Sequence, residues 1–394
     1  MTIKSFTGAL SDTYVLQEAL SAYSDEAYTS AKKLSGTGLV GSNPLIDTTT
    51  ESFVGQVRWL KPLNPTINVA SLTNAAEGAK TTFASDYLRY IKSVRTHGAE
   101  KINMQQVVTQ MDGLAKVGRD FGETRAQDEH NAILAILKGV AVSEILNGAS
   151  AGSGATGLGG QSFDNEPADK KYGFYVDLGA AKPVIDATAA IQGASRAEGF
   201  LQAIGKAFKD YEPEYAYLVT SPETYASFRS ANLVDEIGIV DGNVTFSTIF
   251  SGKFRIIQTR ASQGFSAAEI TKLNTGAGVD IVGAKTSYIV LPGAIALQSL
   301  MVPDQTEIFR NANTYNGGGG TSIWYRWGYV LAPAGYDWAG SDAKFASDAE
   351  YMSVIEGGTA KTIIAATSIA ACTGTWVRKA ASALSLGILP VFHS

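Results

Sequence analysis

Between Phe121 and Asn147 the chain has no proline and only two glycines, Gly122 and Gly139. Ala126, His130, Ile133, Leu137 and Val140 recur there at helical spacing, and Leu134, Ile136 and Ala141 widen the stripe. The pattern predicts one helix about 40 Å long, packed through His130, Ile133, Leu137 and Val140. Gly148 is the natural C-terminal stop, followed by a glycine-rich loop over Ala149–Gly160. A histidine on the same face as Ile133 and Leu137 reads as a hydrogen-bonded core or interface residue rather than a metal ligand.

Upstream of this rod the period changes. Ser11–Leu34 reads as a helix with Leu16, Leu20, Tyr23 and Ala27 on one face, and Gly36, Gly38, Gly41 and Pro44 then impose an extended connection. The N-terminal part reads as an arm. From Glu51, alternation of Phe53, Gly55, Val57 and Trp59 predicts a strand, and Thr82–Arg95 alternates again. Two strands about twenty residues apart predict a long hairpin whose tip, Pro62–Gly78, has few large apolar side chains. Between Glu51 and Arg95 the basic residues Arg58, Lys61, Lys80, Arg89, Lys92 and Arg95 outnumber the acidic Glu51, Glu77 and Asp86. Such a strap, with Trp59, Tyr87 and Tyr90 interleaved, suits either nucleic acid or an acidic neighbouring subunit.

Downstream, helical pieces flank Gly193 within Ala180–Tyr211, Ser221-Pro222-Glu223 opens a helix, and Ser266 to Glu269 has the form of a capping box. Strands are expected at Tyr215–Thr220, Phe254–Thr259, Val279–Val282 and Tyr288–Leu291, which makes the middle of the chain an α/β unit. Strands return over Ile295–Met301, Thr306–Phe309 and the alternating Ile323, Tyr325, Trp327, Tyr329 and Leu331, with Gly317–Gly320 as a turn. An acidic segment, Asp342–Glu356, an Ala/Thr/Ser-rich stretch and an apolar strand at Leu386–Phe392 follow.

The 394 residues carry a formal charge of −5, with 18% charged and 41 glycines. That charge lacks the strong basic excess of a dedicated DNA-binding protein, and the low charged fraction points to broad contact surfaces. The single cysteine, Cys372, excludes an intrachain disulfide and a thiolate zinc site. The first twenty residues lack the apolar run of a signal peptide, and Pro292, Gly293, Gln298 and Ser299 interrupt the longest uncharged stretch, so no membrane partner is expected.

Catalytic patterns are sparse. Gly148-Ala-Ser150-Ala-Gly152 matches a hydrolase nucleophile elbow, but a strand should precede the serine and a helix is expected instead. Gly152–Gly157 matches a dinucleotide fingerprint without its flanking strand and helix. The histidines are only three, His97, His130 and His393, and Asp120, Glu123, Asp128 and Glu129 read as a charged helix face. No enzyme and no cofactor is expected.

The order of elements resembles the major capsid proteins of tailed bacteriophages with the Hong Kong 97-type fold. The resemblance spans nearly the whole chain. It is carried by Gln127-Asp-Glu-His-Asn-Ala-Ile-Leu-Ala-Ile-Leu-Lys-Gly-Val140, by Gly335-Tyr-Asp-Trp-Ala-Gly340, and by Trp376 with Leu386-Gly-Ile-Leu-Pro-Val-Phe392. It implies an α+β fold: an N-terminal arm at 1–48, an extended β-hairpin loop at 49–100, a peripheral domain with the long spine helix at 101–175 and 296–338, and an α/β axial domain at 176–295 and 339–394. The implied function is self-assembly, as hexamers and pentamers, into an icosahedral head shell enclosing double-stranded DNA without sequence specificity. Implied partners are a portal, a cement protein and a separate scaffolding protein, the last with the alternative that a scaffolding segment of about a hundred residues was removed ahead of this sequence. Implied locations are host cytoplasm during assembly and then the virion capsid. Arg58, Trp59, Lys61, Lys80, Tyr87, Arg89 and Lys92 become the expected intersubunit contacts of the loop, and reversing Arg58 and Arg89 to Glu is expected to impair assembly while leaving the subunit folded. The alternatives are an encapsulin-like compartment with protein cargo, a tail-tube protein, and an α/β hydrolase using Ser150.

Overall fold

The computed structural model describes residues 13–32, 34–43, 45–49, 52–60, 85–102, 113–149, 175–177, 200–201, 203–205, 207–208, 213–235, 238–241, 244–259, 264–277, 281, 283, 285–311, 313, 319–379 and 386–393. The fold is mixed α+β, and the described residues form two large sheets, two small ones and a long helix.

The first sheet is built around strand Gly320–Pro333. One of its edges pairs antiparallel with Ser85–Ile102 over Gly320↔Ile102 to Leu331↔Ile91; the other pairs with Thr306–Asn311 at its start and Ile295–Ser299 at its end. Val54–Leu60 pairs antiparallel with Ser85–Ile102, and Val40–Gly41 closes the far edge. Alternation decides the faces. Ile323, Tyr325, Trp327, Tyr329 and Leu331 are buried on the side of the long helix. The opposite face carries a second, smaller core of Ile46, Val57, Tyr90, Leu300 and Val330, covered by the end of the arm.

The long helix, Gly113–Ala149, has 37 residues, and every residue from Ala132 to Leu146 is buried. Ile133, Leu137 and Val140 are completely enclosed, and His130 is half-buried beside them. Glycine sets how closely neighbours approach. A Cβ at Gly122 would collide with the Ser24 carbonyl and Tyr28 amide of the N-terminal helix Thr13–Ala31, and one at Gly139 with the Tyr351 carbonyl. Around Gly139, Trp338, Tyr351 and Trp376 form an aromatic cluster, with ring centroids 5.0 Å apart for Trp338–Trp376. The small sheets Tyr336–Trp338/Trp376–Arg378 and Thr359–Lys361/Val354–Glu356/Thr373–Gly374 belong to this same segment.

The second sheet has seven strands in the order Val176–Asp177, Ile388–His393, Lys285–Val290, Ala216–Thr220, Phe254–Gln258, Val244–Ile249 and Ile239–Asp241. Two pairs are parallel and the rest antiparallel. Every residue of Ala216–Thr220 and of Ile388–His393 is buried, so these strands read as continuous apolar runs because both faces are covered. Helices Pro222–Ser230 and Ala267–Ala277 flank it, each opened by its predicted cap. The Thr224 amide donates to Ser221 Oγ, and the Ser266 and Glu269 amides exchange hydrogen bonds with each other's side chains.

Three expectations are corrected. The long helix continues through Gly148 to Ala149 instead of stopping before it. Of the strand expected at Val279–Val282 only Ile281 is among the described residues, and it lies outside any strand, with Asn274 holding its backbone N–H and C=O through its side-chain amide. The second strand of the hairpin runs to Ile102, seven residues beyond the alternating run, because Gly320–Pro333 pairs along it. Most of Ala180–Tyr211 and Gly152–Gly157 lie outside the described residues.

Candidate assembly surface

Strand Ser85–Ile102 places Arg89, Ser93 and Arg95 on one face and Tyr90, Lys92 and Val94 on the other. Each face meets acid from a different segment. Arg89 donates from its backbone amide to Asp337 Oδ1 at 2.5 Å, and its guanidinium lies 3.4 Å from Asp337 and 3.7 Å from Asp342. Arg95 reaches Asp348 at 2.6 Å and Asp128 of the long helix at 3.6 Å. Asp128 also accepts from Trp327 Nε1 and the Tyr329 hydroxyl. On the opposite face the Lys92 ammonium, fully buried, donates to Asp47 at 2.7 Å and to the Thr49 carbonyl at 2.5 Å, while the Asp47 amide donates to the Tyr90 hydroxyl.

These contacts clamp the root of the hairpin between the arm and the segment 337–348. Ser93 and Ala346 tie the same strand to that segment, through Ser93 Oγ to the Ala346 carbonyl and the Ala346 amide to the Lys92 carbonyl. The charges are thereby matched inside the subunit. The donors from Lys92, then the Thr49 amide, hold the Asp47 carboxyl at about 2. Burial raises Asp348, against the pull of Arg95 and with a further push from Asp128.

The residues expected at intersubunit contacts therefore divide. Arg58 is exposed, its guanidinium 3.2 Å from Ser85 Oγ, and Tyr87, directly opposite it in register, is 53% exposed. Arg89 is half-buried at the clamp, so the Arg89 half of the double reversal bears on the subunit's own fold. Lys92 is enclosed within the subunit and is absent from its surface. Lys61, Lys80 and the side chain of Trp59 lie outside the described residues. The acidic partners Asp47, Asp128, Asp337, Asp342 and Asp348 are not apparent from sequence patterns, since they come from three separate stretches; the signal available is that Arg89 and Arg95 share a strand face which Lys92 does not.

Two exposed aromatics within the strands of the first sheet are not among the expected contacts. Trp324 (44% exposed) and Phe309 (58%) lie on the face of the first sheet opposite the long helix, beyond the part covered by the arm. Trp324 lies against Gly98 of the neighbouring strand, where a Cβ would meet the indole at 2.8 Å. Glu307 and Arg326, also on this face, pair at 2.6 Å.

The described histidines of the hydrolase reading are on separate elements. Ser150 lies outside the described residues, directly after a helix; His97 packs edge-on to Phe121, and His393 is buried with its Nε2 2.9 Å from Ser287 Oγ. Among the described residues no group of three or more His, Cys, Asp or Glu is placed to hold a metal ion, and no helix is long and apolar enough to cross a membrane.

No family model matches the chain, and no curated protein matches it. Among solved structures it is similar to the capsid of Ralstonia phage GP4, with a TM-score of 0.44 and 12% identity over 76% of this chain and 84% of that one. It is also similar to the head structure of Helicobacter pylori bacteriophage KHP40, with a TM-score of 0.43 and 8% identity over 91% and 90%. For the acidic stable capsid structure of Helicobacter pylori bacteriophage KHP30 the TM-score is 0.45, with 8% identity over 91% of each chain.

Proposed function

We propose that this chain is a major capsid protein that assembles, as hexamers and pentamers, into the icosahedral head shell of a tailed phage around double-stranded DNA. The observation that carries this reading is the hairpin. Its two strands extend the first sheet at an edge, its root is fixed on both faces by ion pairs within the subunit, and its described outer part presents Arg58 and Tyr87 to solvent. A projection held this firmly at its base and exposed beyond it is built to meet another molecule. The order of elements found, arm helix, hairpin, long helix, α/β sheet and return to the first sheet, is the order on which the sequence resemblance rests. In this reading the shell is reached through a separate scaffolding protein, closed at a portal and strengthened by a cement protein, with assembly in the host cytoplasm and final residence in the virion. The partition into arm 1–48, loop 49–100, peripheral domain 101–175 and 296–338, and axial domain 176–295 and 339–394 belongs to the same proposal. The role is structural, with chemistry left to other proteins.

Electron microscopy of the purified protein across salt and concentration, with sizing by light scattering, tests the reading. Closed shells, or rings of five and six subunits, are expected. Open cylinders, or a monomer at every condition including co-expression with a scaffolding protein, would overturn it. Nucleic acid within purified shells separates a phage head from a compartment that carries protein cargo.

A further inference from the structure

The two large sheets meet at a narrow joint. Among the described residues one continuous segment, residues 291–294, runs between them, from Lys285–Val290 of the second sheet to Ile295–Ser299 of the first. Its ends are fixed to opposite sheets. The Leu291 amide donates to the Gly387 carbonyl, beside strand Ile388–His393, at 2.7 Å, and the Ala294 carbonyl accepts from the Ala334 amide, beside strand Gly320–Pro333, at 2.8 Å. Between them Gly293 has a φ of +69°, and a Cβ there would meet nothing within 4 Å. Glycine is needed at this position for its backbone and not for room, which is what a joint that absorbs rotation requires.

The arm crosses this joint from one sheet to the other between Gly38 and Gly41. The Gly38 amide donates to Asp241 Oδ2, at the edge of the second sheet, at 3.2 Å, and the Gly38 carbonyl accepts from the Gly293 amide at 2.9 Å. Leu39 is fully buried, and Val40 and Gly41 then pair parallel with Ile295 and Ala296 of the first sheet. The fit is close at both ends. A Cβ at Gly38 would lie 2.9 Å from the Tyr217 hydroxyl, and one at Gly41 would lie 3.2 Å from Gly293 Cα. Arg255, at 2.7 Å, and the Tyr217 hydroxyl hold Asp241 in place, so the anchor on the second sheet is formed in advance. Close packing stops on either side of the crossing. A cleft of about 270 Å³, lined by Gly41, Asn43, Gly293 and Ala334, adjoins its end on the first sheet, and one of about 430 Å³, lined by Leu34, His130, Phe246 and Ile257, adjoins its beginning. Packed proteins leave few such spaces, and two beside one strand give it room to shift.

We propose that residues 37–41 are a strap that sets the angle between the two sheets. Docked on Asp241 and Gly293, the strap holds the angle of this structure; lifted, it frees the first sheet to turn against the second about Gly293. A segment that binds both halves of a molecule and the joint between them biases the equilibrium between two shapes through contacts made in only one of them. The Lys138–Glu269 pair, carried on a flexible four-carbon stem, follows such a turn. The strap is independent of the shell-forming reading, since it acts within one subunit and is tested on one.

Gly38→Val sets its side chain against Tyr217 and Asp241 and lifts the strap without leaving a buried charge unpaired. Gly36→Ala, whose Cβ meets only the Lys32 side chain, at 3.5 Å, is the control in the same arm. In a Cys372→Ser background, spin labels at Thr96→Cys on the first sheet and Ser230→Cys on a helix flanking the second, both exposed positions, report the angle by double electron–electron resonance on the unassembled subunit. The parent and the control should give one narrow distance distribution, and Gly38→Val a shifted or broadened one. A Gly38→Val distribution that matches the parent would overturn the strap. Hydrogen exchange of the unsubstituted subunit, read by mass spectrometry, decides the matter should Gly38→Val fail to fold. The Gly38 and Gly293 amides should exchange together, at least about tenfold faster than those of Lys285–Val290 and Gly320–Pro333. Exchange of Gly38 and Gly293 only in step with those strands would overturn it equally.

Discussion

Arg378 lies 2.9 Å from Glu144 with 2% and 0% of their side chains exposed. A pair this enclosed is costly to break from one side, because the remaining charge keeps its desolvation penalty without its partner. Arg378→Ala should therefore lower subunit stability by about 3–5 kcal/mol, read by urea denaturation, whereas replacing both members with Met and Leu should be far milder. At the hairpin root the carboxyls respond to acid in opposite directions. Asp47 is held at about 2 against 3.8 for a free carboxyl, so its contribution is complete above 3.8 and is lost as pH falls from there toward 2. Asp47→Asn should accordingly be less stable than the wild type at neutral pH, and the two should converge near pH 2. Asp348 is raised by burial; its charged form opposes folding at neutral pH, and that opposition fades as pH falls through its raised value. Asp348→Asn should flatten that part of the pH profile. None of these pairings is legible in the sequence, because each joins residues separated by 45 to more than 200 positions; the alternation of the strand shows only which basic residues share a face.

At the scale of elements, the patterns that the sequence displays most plainly are those set by local geometry. The apolar stripe of the long helix, the caps at Ser221 and Ser266 and the alternation of Ile323 to Leu331 all reappear in the structure. What misleads is punctuation. Gly148 reads as a stop, yet the helix includes it, and glycine in this helix serves proximity at Gly122 and Gly139. Gly139→Ala should cost about 1–3 kcal/mol or more through forced displacement of the Tyr351 backbone. Gly205→Ala is the control: that position is helical with nothing within 4 Å of an added Cβ, and alanine should raise stability by up to about 1 kcal/mol. Calorimetric melting of the two variants gives shifts of opposite sign if proximity, rather than helix propensity, sets the requirement.

For the whole molecule, cross-braces tie the first sheet and long helix to the second sheet. Lys138 of the long helix donates to both oxygens of Glu269 at 3.0 and 3.1 Å, at the start of helix Ala267–Ala277. Asp241 at the far edge of the second sheet accepts from Arg255, from Tyr217 and from the Gly38 amide of the arm. Lys138→Met combined with Asp241→Asn should split a single calorimetric transition into two, or lower the melting temperature if the apolar contacts alone keep the sheets together as one unit. The notches at Gly122 and Gly139 have a mechanical consequence of their own. Gly118, one helical turn before Gly122 at about 5.4 Å, also lies against the N-terminal helix, at Leu20 and Tyr23, so that helix is seated in a groove two turns long, while Gly139 alone receives the Tyr351 carbonyl. The groove sets how near the two helices lie, whereas the single notch at Gly139 pins the height of the Tyr351 segment along the rod like one tooth of a ratchet. A change of subunit shape that moves the N-terminal helix along the rod is thus sterically cheaper than one that moves the segment around Tyr351.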